Sequence, residues 1–423
     1  MNWNDRLWQQ SQPQLARFMI PLVTVLGRSE RRVAATRYVT GLLLPGQRKS
    51  IAPMSERLGV DAQSLQQFVS DSPWEEQSLW SAIRQEIIPR LGPMEAWVVD
   101  ETGWVKQGDH SVGVAHQYCG SVGKQANCQA SVELVVSDGT VAAPVAGQLY
   151  LPQKWLAEPQ RCAAAGVPRE VAFATKPQIA VALMEATLKD GVSPGPVLAD
   201  SAYGDSSDFR AELRRLKLEF LVQVTGSAHK GWTRPVPTAC KVKRRYVTAA
   251  VPPAQTLAQI AADLASSDWQ PCAWKATDGK TRQTRLAWLE VYLAHGLRKA
   301  GGDLEKVWLV VDWPAGDAQP YHYYLAEFKP QPTLARCLKL SRSRWHIEQY
   351  FQRSKDDLGL DHFEGRSWRG FHHHLALSAV AYLFILVVHL RAKKNFWCDV
   401  GSGAASDPPV AGEIHRLLLL LRP

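Results

Sequence analysis

Three acids and two cations are the residues whose types and spacing could do chemistry here. Asp100 closes the apolar run AWVVD, Asp200 closes PVLAD, and Glu348 lies in the segment 340–358. At about 100° per residue, a helix through that segment puts Arg344, Glu348 and Lys355 within roughly 40° of one another. Ile347, Phe351 and Leu358 occupy the adjoining flank, so one strip carries charge and the next anchors it. Taken alone, the segment is also an ordinary amphipathic helix with i,i+4 pairs. Three carboxylates brought together would repel and raise one another's pKa values. A divalent metal resolves that conflict. Oxygen ligands with room for water suit Mg2+ or Mn2+, and two such ions about 4 Å apart clamp an in-line attack at phosphorus. One Asp would bridge both ions while the other two acids each hold one.

The elements that must position these acids follow from hydrophobic periodicity. From Met94 the chain reads as strands: AWVVD with the loop 101–103, then HSVGVAHQYCG and CQASVELVV, with Ser137, Asp138 and Gly139 turning into TVAAPVAGQLYL. A helix over about 176–188 follows, then PVLAD, a loop and helix capped by Asp205 or a nearby serine, and a strand at 218–224. The expected class is α/β, with carboxylates at strand ends. From 225 to about 332, short alternating runs broken by Pro and Gly predict a β-rich insertion with a helix near 254–266. It carries Lys230, Arg234, Lys241, Lys243, Arg244 and Arg245, interleaved with Trp232 and Tyr246. A solvated basic face is the plain account; charge with stacking surface also suits a nucleic-acid groove.

Residues 1–92 read as helical. Within them Ser50–Leu58 and Ala62–Ser70, joined at Gly59, outline a helix-turn-helix, whose second helix would enter the major groove. Such pairs also occur in proteins that do not bind DNA. After the Glu348 segment come Arg366, Trp368 and Arg369, then His372, His373 and His374. Consecutive histidines point in different directions around a helix, so phosphate contacts or a satisfied helix start fit them better than a shared metal. The expected divisions are 1–92 (helical, DNA-binding), 93–224 (core), 225–332 (insertion), 333–395 (core with the Glu helix) and 396–423 (linker and terminal helix).

The bulk properties agree with that reading. A chain of 423 residues exceeds what one core usually serves. With 46% hydrophobic and 21% charged residues it is an ordinary globular composition, which excludes disorder. The net charge of +9 favours polyanionic partners. Seven cysteines without a CxxC pair predict a reduced, cytoplasmic protein with neither disulfide nor structural zinc. The N-terminus lacks the apolar core of a signal peptide. The charge-free run 375–388 is short of the roughly 20 residues that span a bilayer, so no membrane partner is expected.

On these residues the chain resembles the DDE transposases of bacterial insertion sequences, of the IS4-like superfamily and most like the IS701 group. The stretches that carry the resemblance are VVDETGWVKQGDHSVGVAHQYCG, QLYLPQKW, VLADSAYGD and SRWHIEQYFQRSKDDLGLDHFEGRSWRGFHHH. Arg344, Glu348 and Lys355 match the R-x3-E-x6-K signature. The fuller pattern begins with a Tyr three positions before the Arg, where this chain has Ser341. The resemblance implies a ribonuclease H-like core interrupted by a β-rich insertion, plus an N-terminal helical DNA-binding domain. It implies that Asp100, Asp200 and Glu348 are catalytic and hold two Mg2+ or Mn2+ ions, with Glu101 supporting them. Arg344 and Lys355 would grip phosphates, and Arg366, Trp368, Arg369, Lys241, Lys243, Arg244, Arg245 and Trp232 would make wider DNA contacts. Relatives with this insertion often form DNA hairpins and hold a flipped base on a Trp, for which Trp232, Trp269, Trp274 and Trp308 are candidates. The implied partners are double-stranded DNA, as terminal inverted repeats and target, and a second copy of the chain in a nucleoid-associated homodimer. Two other readings stay open: an inactive or domesticated DNA-binding protein, and a nuclease or resolvase on the same fold.

Overall fold

A computed structural model of the chain describes residues 5–402 apart from 237–239, 243–244, 248–251, 277–278, 297–303, 315, 319 and 321. The chain divides into two units. One comprises the chain up to Met94, Asp100–Ser193 and the chain from His346 onward; the other comprises Glu95–Val99 and Pro194–Trp345.

The first unit opens with helices α1 (Asp5–Val23), α2 (Ser29–Leu43), α3 (Ile51–Leu58), α4 (Ala62–Ser70), α5 (Glu76–Ala82) and α6 (Ile88–Leu91). Helices α3 and α4 form the expected pair. Gly59 between them takes the left-handed conformation, φ 64° and ψ 35°, which glycine adopts without a Cβ penalty. Asp61 then caps α4 by accepting from the Ser64 amide at 2.8 Å. Leu65, Phe68 and Val69 form the buried side of α4.

Strand β1 (Ala96–Val105) runs from the second unit into the first, the change falling between Val99 and Asp100. Beside its second half lies β3 (Lys124–Ser137), flanked by β2 (Ala115–Cys119) and β4 (Ala142–Leu149), both antiparallel to it. The β3–β4 turn is the predicted one: Asp138 Oδ1 accepts from the amides of Thr140 and Val141 at 2.7 and 2.9 Å. From Cys128 to Ser137 β3 is buried continuously. Short helices α7 (Gln153–Leu156) and α8 (Pro159–Ala164) lead to α9 (Lys176–Lys189), which packs on β3 and β4.

The second unit is built on a mixed sheet. Strand β5 (Val197–Ala199), helices α10 (Ser201–Gly204) and α11 (Ser207–Arg215) and strand β6 (Phe220–Val224) come first. Then follow β7 (Lys230–Trp232), β8 (Cys240–Val242), β9 (Arg245–Val247), β10 (Gln255–Thr256), α12 (Leu257–Ala262), β11 (Gln270–Lys275), β12 (Thr281–Leu293), β13 (Glu305–Pro314), β14 (His322–Glu327) and α13 (Leu334–Ser343). The order is β10-β7-β12-β13-β14-β6-β5 and then the start of β1, with β11 on β12 and β8 paired with β9 apart. The β1, β5 and β6 strands are parallel; β14 is antiparallel to β6, joining Tyr323 to Val224 through Glu327 to Phe220. The β-rich stretch after residue 225 therefore extends the sheet of β5 and β6. A wholly buried Arg210 fastens α11 to β13, its Nε and Nη2 on the two Glu305 oxygens at 2.8 and 2.7 Å.

Two helices return to the first unit, α14 (Trp345–Asp356) and α15 (Trp368–Ser402). The apolar stretch of α15, Trp368–Leu390, is longer than the charge-free run and is by composition able to cross a membrane. In the fold, however, 78% of its most apolar window is buried, against α2, α4 and β4 among others. It serves as a core helix. Its three histidines are all satisfied internally. His372 accepts from the Leu149 amide at 3.2 Å and donates to Trp368 O at 2.9 Å. His373 faces the carbonyls of Val69 and Trp74 at 2.9 and 2.8 Å and stacks on the Trp74 ring. His374 donates to Leu360 O at 3.0 Å, which leaves its Nδ1 to accept from the Tyr38 hydroxyl at 2.8 Å. Burial pushes the His374 imidazole down to about 3. Phosphate is not their partner. Helices α2 and α4 are thus packed on α15 within the first unit.

Tyr38→Phe removes the donor to a buried imidazole nitrogen. Unfolding of the first unit in urea should lose about 1–3 kcal/mol; an unchanged midpoint would show that this bond does not hold α2 to α15.

Candidate functional site

Asp100 stands within β1, part-exposed, where the strand enters the first unit. Its Oδ1 accepts from the Glu101 amide at 2.8 Å, which fixes the carboxylate plane. Glu101 is held from outside the strand: Lys176, at the first turn of α9, reaches its Oε1 at 2.7 Å. Glu101 Oε2 is buried and takes no hydrogen bond among the described residues.

Helix α14, which carries Glu348, is bonded to the neighbouring strands by two side chains. Lys355 donates to Gly103 O at 2.7 Å, three residues beyond Asp100 on β1. Burial lowers the Lys355 pKa. Gly103 leaves room for the Cys119 side chain of β2, since a Cβ there would lie 2.3 Å from its Sγ. Two residues after Glu348, the Tyr350 hydroxyl donates to Glu133 Oε2 at 2.7 Å; Ser131 donates to Glu133 Oε1 at 3.0 Å. Glu133 lies on β3 and is fully buried. Residues 348 and 355 are about 20° apart around a helix, so the Lys355 bond turns the Glu348 face of α14 toward β1.

Arg344 stands between α13 and α14 and keeps helical dihedrals, φ −57° and ψ −36°; it belongs to the second unit while Glu348 and Lys355 belong to the first. Ser341 Oγ bonds back to Leu338 O and Ser343 Oγ to Lys339 O, each at 2.9 Å. Arg342 pairs with the buried Asp312 at 2.6 Å and lies over the Trp274 ring at 4.3 Å. Ser341, at the position of the missing Tyr, is a hydrogen-bond partner of Tyr324 on β14.

Asp200 follows β5 in the second unit and caps α10, its Oδ1 accepting from the Ala202 amide at 2.9 Å. Within that unit β5 runs parallel to the start of β1 with Trp97 beside Val197 and Val98 beside Leu198.

The wider set of sequence candidates is scattered. Arg366 and Arg369 are exposed, and Arg369 donates to Asp71 O at 3.1 Å. Trp368 is half-buried against His372. Trp232 is a correction: only 8% exposed, it pairs with Tyr292 on β12 and gives its indole N–H to Pro252 O, so it packs instead of offering a stacking face. Lys241 and Arg245 fall on β8 and β9; Lys243 and Arg244 lie outside the described residues. The sequence reading missed Lys176, Glu133 and Tyr350. Only Glu133 carried a signal, as a lone carboxylate inside the apolar strand SVELVV.

As to a metal, the donor chemistry fits: Asp100 and Asp200 are part-exposed, each with one oxygen oriented by a neutral backbone amide, and an all-carboxylate set suits a hard divalent cation. Among the described residues no group of three or more His, Cys, Asp or Glu side chains stands at metal-holding distance.

Comparison with known proteins adds two findings. The family model for DDE superfamily endonucleases matches residues 21–284, more than half of the chain; that span contains Asp100 and Asp200 and stops before Glu348. A probable transposase for insertion sequence element IS701 from Microchaete diplosiphon is 29% identical over 199 residues, covering 46% of this chain and 49% of that relative. The chain therefore spans about half the length of the relative it matches.

Burial pushes the Glu133 carboxyl up to about 7, against the opposing hydrogen bonds of Tyr350 and Ser131. A carboxyl whose folded pKa is raised contributes stability that is full below its unfolded value, near 4.5, and is lost as pH rises through about 7. Measured over that window, wild type should lose roughly 3 kcal/mol relative to Glu133→Gln. Parallel stability profiles for the two proteins would contradict it.

Proposed function

The chain belongs to the DDE superfamily endonucleases, and from that premise we propose that it is a transposase, cutting DNA at the ends of an insertion sequence and joining the freed 3′ ends to target DNA. The observation that supports this most is the parallel register of β1 and β5. Asp100 and Asp200 each follow by two residues the paired Val98 and Leu198, Asp100 continuing within β1 and Asp200 just past the end of β5. The bond from Lys355 to Gly103, which turns α14 toward β1, supports Glu348 as the third acid.

In this reading Asp100, Asp200 and Glu348 would hold two Mg2+ or Mn2+ ions, which when bound supply nucleophile activation and charge stabilisation at phosphorus. The protein's own groups orient the DNA. Arg344 neutralises a phosphate near the cut, and Lys355, with one N–H given to Gly103, has two more for the same use. Exposed Arg366 and Arg369 extend the phosphate contacts, and the basic residues around β8 and β9 continue them along the duplex. Helices α3 and α4 act as the DNA-reading pair. Their exposed Gln63, Gln66 and Gln67 carry the amide groups that recognise adenine edges in the major groove. Both reaction steps are in-line displacements, water attacking first and the 3′ hydroxyl second, so one site serves both. Two ends must be held together, which calls for a homodimer. If the ends pass through hairpins, Trp269, Trp274 and Trp308 are the candidates to hold a flipped base, and the burial of Trp232 removes it from that group.

The test is cleavage of duplexes bearing the element's ends in Mg2+. Asp100→Ala, Asp200→Ala and Glu348→Ala should each reduce cutting by more than the 10–100-fold, about, that outer-sphere metal partners cost, and chelator should abolish it in wild type. Undiminished cutting by any of the three removes that residue from the site, and cutting that survives chelation overturns the reading.

A further inference from the structure

We propose that the flank of α14 turned away from Glu348 forms, with α15 and the β3–β4 turn, a binding site for a phosphate group, carried either by the DNA backbone or by a small phosphorylated molecule. The site lies wholly within the first unit, and it stands whether or not the transposase reading holds.

Helix α14 has two polar edges. Its buried strip is Ile347, Tyr350, Phe351 and Ser354. At about 100° per residue, Glu348 and Lys355 fall on one side of that strip, and His346, Gln349 and Arg353 fall within roughly 60° of one another on the other. The second edge lines a cavity of about 460 Å3, its open mouth included, within the roughly 300–1,000 Å3 of small-molecule sites. Thr140, Val141 and Ala142 of the β3–β4 turn close one side, and α15 supplies Tyr382, Ile385, Leu386 and His389.

The lining selects for an anion. Among the described residues it holds one arginine, two histidines and no Asp or Glu. Arg353 is always charged, and its planar fork matches two phosphate oxygens. Burial pushes the Tyr382 hydroxyl up to about 12, against the field of the Arg353 guanidinium, so Tyr382 stays a donor and supplies no countercharge. Two acids close by stand outside the lining. Asp138 of the turn accepts from the Thr140 hydroxyl and from the amides of Thr140 and Val141. Asp357, four residues after Arg353, feels its charge but does not line the cavity. Ile385 and Leu386 give an apolar wall on which a sugar or base attached to the phosphate can pack.

The test uses the full chain, with inorganic phosphate and thymidine 5′-monophosphate as probes in calorimetry at constant ionic strength. Wild type should bind both. Arg353→Gln should weaken both about tenfold or more. His346→Gln, on the same edge, should weaken them about threefold, which keeps the test decisive if the first variant folds poorly. Lys355→Gln, on the other edge, should bind both as wild type does. Duplex DNA separates the two sources. A backbone phosphate in the cavity makes Arg353→Gln flatten the log–log salt dependence of DNA affinity by about 0.9, with free phosphate competing. A small-molecule ligand leaves DNA binding and its slope unchanged. Wild type that binds neither probe, or binding undiminished in both Arg353→Gln and His346→Gln, overturns the proposal, as does binding lost in Lys355→Gln alone, which would place the phosphate beside the acids. Cleavage is no part of these readouts, so failure to cut end-bearing duplexes counts against the transposase reading only.

Discussion

The arrangement of the first unit depends on how α14 is fastened. A helix of 12 residues with a charged face has little reason to adopt one rotation on a sheet unless something sets it, because apolar packing alone tolerates small turns. Here two bonds set it. The amine of Lys355 is given to a carbonyl of β1, and the hydroxyl of Tyr350 to a carboxylate buried in β3. One fixes the helix at its end and the other near its middle. Neither partner can be replaced cheaply, since a buried polar group left alone costs about 1–3 kcal/mol.

The same economy recurs around Asp100. Its strand passes from one unit to the other within a single element, the change falling between Val99 and Asp100. Gly103, which admits the Cys119 side chain, and the Lys176–Glu101 pair complete the surroundings of Asp100. Farther away, α15 brings His373 onto Val69 and Trp74 and His374 onto Tyr38, and these contacts bind the N-terminal helices to the rest of the unit.

Much of this was legible in the sequence where a local rule decides the outcome. The strand leading to Asp200, the Ser137–Gly139 turn, and the α3–α4 pair about Gly59 all follow from periodicity, turn chemistry or a left-handed glycine, whereas the strand expected to end on Asp100 runs on through 101–103 to Val105. What the sequence hid depends on tertiary context. Trp232 reads as an exposed aromatic among basic residues until its pairing with β12 buries it. That the strands after residue 225 pair on from β6 is a matter of long-range register, which no local rule displays. Lys176 could not be connected to Glu101 across 75 positions, and Tyr350 gave no hint of Glu133. The resemblance carried by Arg344, Glu348 and Lys355 pointed to the family on spacing alone.

The central claim is that Asp100, Asp200 and Glu348 serve one metal site. Loading the protein with Fe2+ in place of Mg2+ and generating hydroxyl radicals cuts the backbone beside bound metal, and the cut positions can be read by mass spectrometry. The account predicts cuts clustered in β1 near Asp100, at the β5–α10 junction near Asp200 and in the first turns of α14, all competed away by Mg2+ and all lost in Asp200→Ala. Cuts confined to one of these segments, or cuts that persist unchanged in Asp200→Ala, would contradict it.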